Sequence, residues 1–175
     1  MTNKAIWSTV RSIEAVIDAI GRATSWLALL IIALMTVNVI LRYTISFGAV
    51  WSQELEWHLM GALILFGMSY ALLKDDNVRV DLFYANYSAR TKYLVDLLSL
   101  GLQIGICCVI IWLSINYVQQ SYSIGEISSD PGGLPLRWAI KALLPIGFGL
   151  LLLQSIAALL KLIAQHQEKE GATHA

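Results

Sequence analysis

Charged residues in this chain come in clusters, and the runs between the clusters are long and apolar. Ala23 to Leu41 is a run of 19 residues without a charge, set between Arg22 and Arg42. Trp57 to Leu73 is 17 such residues between Glu56 and Lys74, and Ala142 to Leu160 is 19 between Lys141 and Lys161. Leu97 to Gly125 is also uncharged, and its first two-thirds are mostly apolar. A helix needs about 20 apolar residues to cross the hydrocarbon core of a bilayer. The pattern therefore predicts four transmembrane helices, over about 23–41, 55–73, 97–118 and 140–160. Leu55 and the turn before it extend the second, which is slightly short. Lipid supplies no hydrogen-bond partners, so a spanning backbone must satisfy itself, as a helix does. A barrel would show alternating ten-residue strands, and none is visible. Four spans put both termini on one side. The whole of 1–175 reads as a single integral membrane domain, with 161–175 as a polar tail.

The segment ahead of the first run has a different rhythm. Ile6, Val10, Ile13, Ile17 and Ile20 are spaced 4, 3, 4, 3, which places them on one face of a helix. Arg11, Glu14, Asp18 and Arg22 fall on the other, where Asp18 and Arg22 make a favourable i,i+4 pair. Residues 1–22 are thus expected to form an amphipathic helix in the membrane interface. A plain extension of the first span is the alternative. The fold class expected is an all-α membrane protein, four transmembrane helices preceded by this N-terminal amphipathic interfacial helix.

Composition agrees: 57% of residues are hydrophobic and 14% charged, against about half and a quarter in soluble domains. Twelve basic and twelve acidic residues give zero formal charge, which argues against nucleic acid as a partner. The placement of the basic residues carries more than their number. Nine lie on the side of the termini and the second connection, and only Arg42, Arg137 and Lys141 on the other. The positive-inside rule makes both termini cytoplasmic. Trp51, Trp57, Trp138, Tyr43 and Tyr117 then form an outer aromatic belt, and Trp26 and Tyr93 mark the inner interface. The first 22 residues carry charges throughout, so no cleavable signal peptide is expected.

The chemistry expected of the chain is sparse. Its histidines are His58, His166 and His174, and the last two lie in the tail. One histidine in the bundle cannot supply two axial haem ligands, and zinc lacks ligands for the same reason. Cys107 and Cys108 are adjacent, which suits neither a disulfide nor a metal. No phosphate loop or nucleophile elbow appears. No catalytic residue, cofactor site or metal site is expected, and the chain does not read as an enzyme. Inward of their ends, where Glu56 and Lys141 stand, the spans hold no Asp, Glu, Lys or Arg, the usual mark of an ion path. A self-contained four-helix exporter would need such a group. A membrane anchor subunit of a redox enzyme would need haem ligands.

A few polar and small residues remain as candidates for structural or interface roles. Arg42 closes the first span while Glu54 and Glu56 open the second across a short loop, so either an Arg–Glu pair or ordinary solvated interfacial charges is expected at the outer hairpin, beside Trp51. Asn38, one turn before Arg42, should face another helix. Gly101 and Gly105 leave a small-residue groove on the third span, with Gln103 between them, and Gln154 is a similar inward candidate. The mixed-sign run Lys74 to Asp81 either offers Arg79 and Asp81 to partners or head groups or is a solvated cytoplasmic turn. Ser121 to Arg137 is the longest outer segment, turn-rich and carrying Glu126. Pro145 sits just inside the fourth span, where a helix start or kink is tolerated.

Several stretches together resemble a known family. Asn38-Val39-Ile40-Leu41-Arg42-Tyr43, Trp51-Ser52-Gln53-Glu54, Gly61, Tyr70-Ala71-Leu72 and Val78-Arg79-Val80-Asp81 are similar to the small membrane subunit of tripartite ATP-independent periplasmic (TRAP) transporters. Gly133-Leu134-Pro135-Leu136-Arg137-Trp138, Lys141 and Pro145-Ile146-Gly147-Phe148 fit a branch of the same family. The resemblance runs from about Ala23 to Leu160. It implies a non-catalytic scaffold for a large multi-span permease subunit that holds the substrate and sodium sites. It also implies a soluble periplasmic substrate-binding protein that docks on the outer face. The expected role is in sodium-coupled import of carboxylate solutes across a bacterial or archaeal inner membrane, among membrane lipids.

Overall fold

A computed structural model describes residues 2–76 and 84–173, and each charge-free run lies on a long helix. The helices are α1 (Thr2–Ile45), α2 (Val50–Lys74), α3 (Ala89–Ser123), the short α4 (Arg137–Lys141) and α5 (Leu143–Thr173). No strand occurs among the described residues. The chain crosses from a terminal end, holding both termini and the α2–α3 connection, to a loop end and back, twice. The loop end carries the α1–α2 hairpin and the segment 124–136. The four-span, all-α architecture read from the sequence is the one observed.

At 44 residues, α1 is about 66 Å long, twice the thickness of a hydrocarbon core. The amphipathic segment runs into the first span without a break at Arg22. Its apolar stripe turns toward protein rather than the lipid interface: Val10 and Ile17 are fully buried, and Ile6, Ile13 and Ile20 half-buried. The cause is the length of α5, which continues beyond its own span and packs on α1, as α2 does. Polar ties fix the arrangement. Asp18 takes Arg22 at 2.7 Å and Lys74 at 2.8 Å, Lys161 meets Glu14 at 3.0 Å, and the Trp7 indole donates to Glu168 at 3.2 Å.

Packing converges on α5. Helices α1 and α2 pack on each other and on α5, whereas α3 reaches the bundle chiefly through α5. The contact surfaces are built from small side chains: Ala157, Ser155 and Ala164 on α5, Ala62 and Ser69 on α2. Without a hydrophobic force between helices in lipid, close backbone approach through small residues is what gains dispersion energy. Two glycines set the closest approaches. A Cβ on Gly147 would lie 2.7 Å from the Leu65 Cβ, and one on Gly21 would run into the Tyr70 ring. Two buried hydroxyls return to their own helices, Thr24 to the Ile20 carbonyl at 2.8 Å and Ser155 to that of Leu151 at 2.7 Å, which meets their donors inside the bundle. The outward faces of α1 and α3 carry Trp26, Leu30, Met35, Leu98, Val109 and Trp112, all exposed.

Candidate functional site: a charged clamp at the loop end

The α3–α5 connection is held by one carboxylate from another helix. Glu54 stands in the first turns of α2 and is only 3% exposed. The Ser128 hydroxyl donates to its Oε1, the Leu134 backbone N–H to its Oε2 at 2.6 Å, and Arg137 Nη2 to Oε1 at 3.3 Å. Arg137 also reaches the Ser128 hydroxyl at 3.2 Å. A buried carboxylate persists when its oxygens are met by charged and backbone donors, and all three donors belong to the connection or to α4. Gly133 permits the approach: a Cβ there would collide with Ser128 and come within 2.8 Å of Glu54 Oε2.

A second pair lies beside the first. Lys141, at the end of α4, donates to Glu126 and sits 4.0 Å above the centre of the Tyr117 ring. The Lys141 ammonium holds the Glu126 carboxyl below the usual carboxylate range. The Arg137 N–H bonds the Glu126 carbonyl at 3.3 Å, and Tyr122 meets Trp138 edge to face at 5.5 Å. Two carboxylates and two cations thus tie α2, α3, the connection and α4 into one block. The backbone of the connection is sharply turned, with Leu136 at φ 67° and Gly132 at φ 79°.

The candidates read from the sequence are distributed as follows. Glu54 and Glu126 both lie in the clamp, but Glu54 is paired with Arg137, not with Arg42, which is exposed. Positions 54 and 56 are about 200° apart around a helix. One therefore faces the connection, and the other faces α1, where Asn38 Nδ2 donates to Glu56 Oε1 at 3.1 Å. Trp51 is exposed nearby. Gly101 and Gly105 face outward with nothing within 4 Å of an added Cβ, so the groove they form meets no helix of this chain. Pro145 falls in the first turn of α5, just after the break at Ala142. Its missing N–H interrupts the ladder that would join α4 to α5. Arg79 and Asp81 lie outside the described residues. Ser128 was not singled out from the sequence, and Gly133 and Leu134 stood there only within a stretch resembling the family, with no role beside Glu54; the density of Gly and Pro beside Glu126 signalled a turn-rich connection. Among the described residues no three His, Cys, Asp or Glu side chains gather as a metal site would require. His58 has its ring Nδ1 against the Glu54 carbonyl.

Residues 31–165 match the family model for tripartite ATP-independent periplasmic transporters, DctQ component. The chain belongs to this family. It is therefore a small membrane subunit of a TRAP transporter, a multi-pass protein, and its clamp is a feature of a transport component. Comparison with curated proteins gives no match. The match covers α2, α3 and α4, most of α5 and the later part of α1, and so includes every residue of the clamp. The buried N-terminal stripe of α1 lies before the matched region.

Proposed function

We propose that this DctQ component is a fixed brace in a sodium-coupled importer of carboxylate solutes, and that its loop end is a preformed docking surface for the periplasmic binding protein. The clamp carries this reading. Its carboxylate holds the longest described connection to a neighbouring helix, and a surface ordered before encounter loses less conformational entropy on binding. The transmembrane stretches have no Asp, Glu, Lys or Arg at mid-depth, so ion and substrate handling fall to the large permease subunit. The exposed apolar faces of α1 and α3 offer surface for that subunit and for lipid. The nine-to-three bias of basic residues supports a loop end in the periplasm and both termini in the cytoplasm, across an inner membrane.

The test is solute uptake by the assembled transporter in vesicles. E54Q should raise the binding-protein concentration giving half-maximal uptake by roughly tenfold, the effect of weakening one charge-assisted anchor. Sodium dependence should stay as in the parent. A shifted sodium dependence with unchanged response to the binding protein would refute the proposal.

A further inference from the structure

Helices α2 and α3 follow each other in the chain but scarcely touch; each packs on α5 instead, and a seam stays open between them. Its middle part, about 460 Å³, is lined by Gly67, Met68 and Ala71 of α2, Gln103 of α3 and Leu151 of α5. Gln103 and Gln154 border its continuation toward the terminal end. Three of these residues share one depth. Gly67, Gln103 and Gln154 each stand seven residues inside a charged residue of the terminal end, Lys74, Asp96 and Lys161 in turn, which is about 10 Å along a helix. On α2 the wall is low: Gly67 and Ala71 are one turn apart, and a Cβ on Gly67 would meet nothing within 4 Å. On α5 the wall carries an unmet acceptor. Gln154 is 2% exposed, and its side-chain carbonyl has no hydrogen-bond partner among the described residues. Gln103, the other amide at this level, does not meet it.

We propose that this seam receives a transmembrane helix of the large permease subunit, and that a hydroxyl or amide on that helix donates to the Gln154 carbonyl. The small residues of α2 let a helix backbone come close, and a polar group facing it adds an interhelical hydrogen bond. The unmet carbonyl selects the occupant. An acyl chain fits the volume but carries no donor, and no water replaces it in the hydrocarbon core, so the buried acceptor would keep its desolvation cost. A second copy of this chain at the same depth would present Leu29 and Leu30 of α1 or Leu102 and Ile106 of α3, all exposed and none a donor. What remains is a helix of another polypeptide, and the family is that of one component of a tripartite transporter. The inference rests on the brace reading for a large membrane partner but not on the docking role of Glu54, so the uptake test of E54Q and the test below can fail separately.

The experiment uses the assembled transporter in intact membranes, with p-benzoylphenylalanine in place of Met68 on the wall of the seam. Irradiation should join the chain to the large subunit, and the adducted peptide should come from a spanning segment with a hydroxyl- or amide-bearing residue. An adduct with lipid alone, with a second copy or with a wholly apolar segment would overturn the assignment, as would no adduct at all. Q154M keeps the length of the side chain and removes the unmet carbonyl, so it separates a bond to the partner from a bond within the chain. It should weaken binding of the large subunit in detergent by about threefold, the size of one hydrogen bond between membrane helices. The melting temperature of the chain alone should stay or rise, since a buried acceptor without a donor has gone. A lower melting temperature of the chain alone with unchanged binding would place the donor for Gln154 inside the chain and refute the proposal. G67L fills the seam and should weaken binding more than Q154M does, while the chain alone keeps its helical content by circular dichroism. Binding unchanged in G67L would also overturn the assignment, and the cross-link, made on a chain that keeps Gly67, does not depend on that variant.

Discussion

A single turn of α2 shows how closely the partner of a charge depends on its place around a helix. Glu54 and Glu56 are two residues apart, yet one anchors the α3–α5 connection and the other bonds Asn38 on α1. Glu126 offers the sharper test, because it stands on the connection and outside the helices. Its carboxyl is lowered first by the Lys141 hydrogen bond, then by the Ser121 hydroxyl and by the nearby cations. A carboxyl lowered on folding contributes stability above its ordinary titration range, and that contribution is lost as pH falls through the folded value. Carbon NMR of the labelled Glu126 carboxyl should give a midpoint below the ordinary 4.5, and K141M should move it upward. A midpoint unmoved by K141M would show that the pair does not exist in solution. The existence of a charged outer site was legible in the sequence, because Glu54, Glu126 and Arg137 all fall at one end of the spans. Its pairing was not. Arg42 is nearest to Glu54 along the chain, and only the path of the connection brings Arg137 closer.

Helices were legible for a different reason. A charge-free run of nearly 20 residues has few alternatives in a chain this apolar. The faces of those helices were much less so, since a partner-facing and a lipid-facing leucine look alike in sequence. The N-terminal stripe was plain at Ile6 to Ile20, but an apolar stripe fits a lipid interface and a protein neighbour equally. The extra length of α5 decided it. Glycines illustrate the same limit. The Gly101/Gly105 spacing satisfies the small-residue pattern and faces outward, whereas Gly147, in no such pattern, touches Leu65. G147V should therefore overpack the α2–α5 contact and cost about 1–3 kcal/mol. G101A should be neutral or stabilising by up to about 1 kcal/mol, through helix propensity alone. Thermal unfolding in detergent compares the two directly. Equal melting temperatures for both variants would mean that α2 and α5 do not approach at Gly147.

At the scale of the whole molecule, charge is sorted to the two ends and the middle is left apolar. That arrangement, not any one contact, fixes depth and direction in the membrane. The terminal end gathers Lys74, Asp18, Lys161 and Glu14 into ion pairs. Those pairs reduce the free positive charge that drives orientation, yet Lys4, Arg11, Arg90 and Lys92 are also there. Each basic residue adjoining a span biases it toward the cytoplasm, and the surplus over Arg42, Arg137 and Lys141 survives the pairing. The proposed direction is open to a labelling test at two exposed sites, Asp130 at the loop end and Gln167 at the terminal end. With Cys107 and Cys108 replaced by alanine, a membrane-impermeant maleimide should label D130C in intact cells. It should label Q167C only after the membrane is opened. The reverse pattern would put the clamp in the cytoplasm, out of reach of any periplasmic protein. The docking role of Glu54 would then fail, while the membership of the family and the packing around α5 would stand.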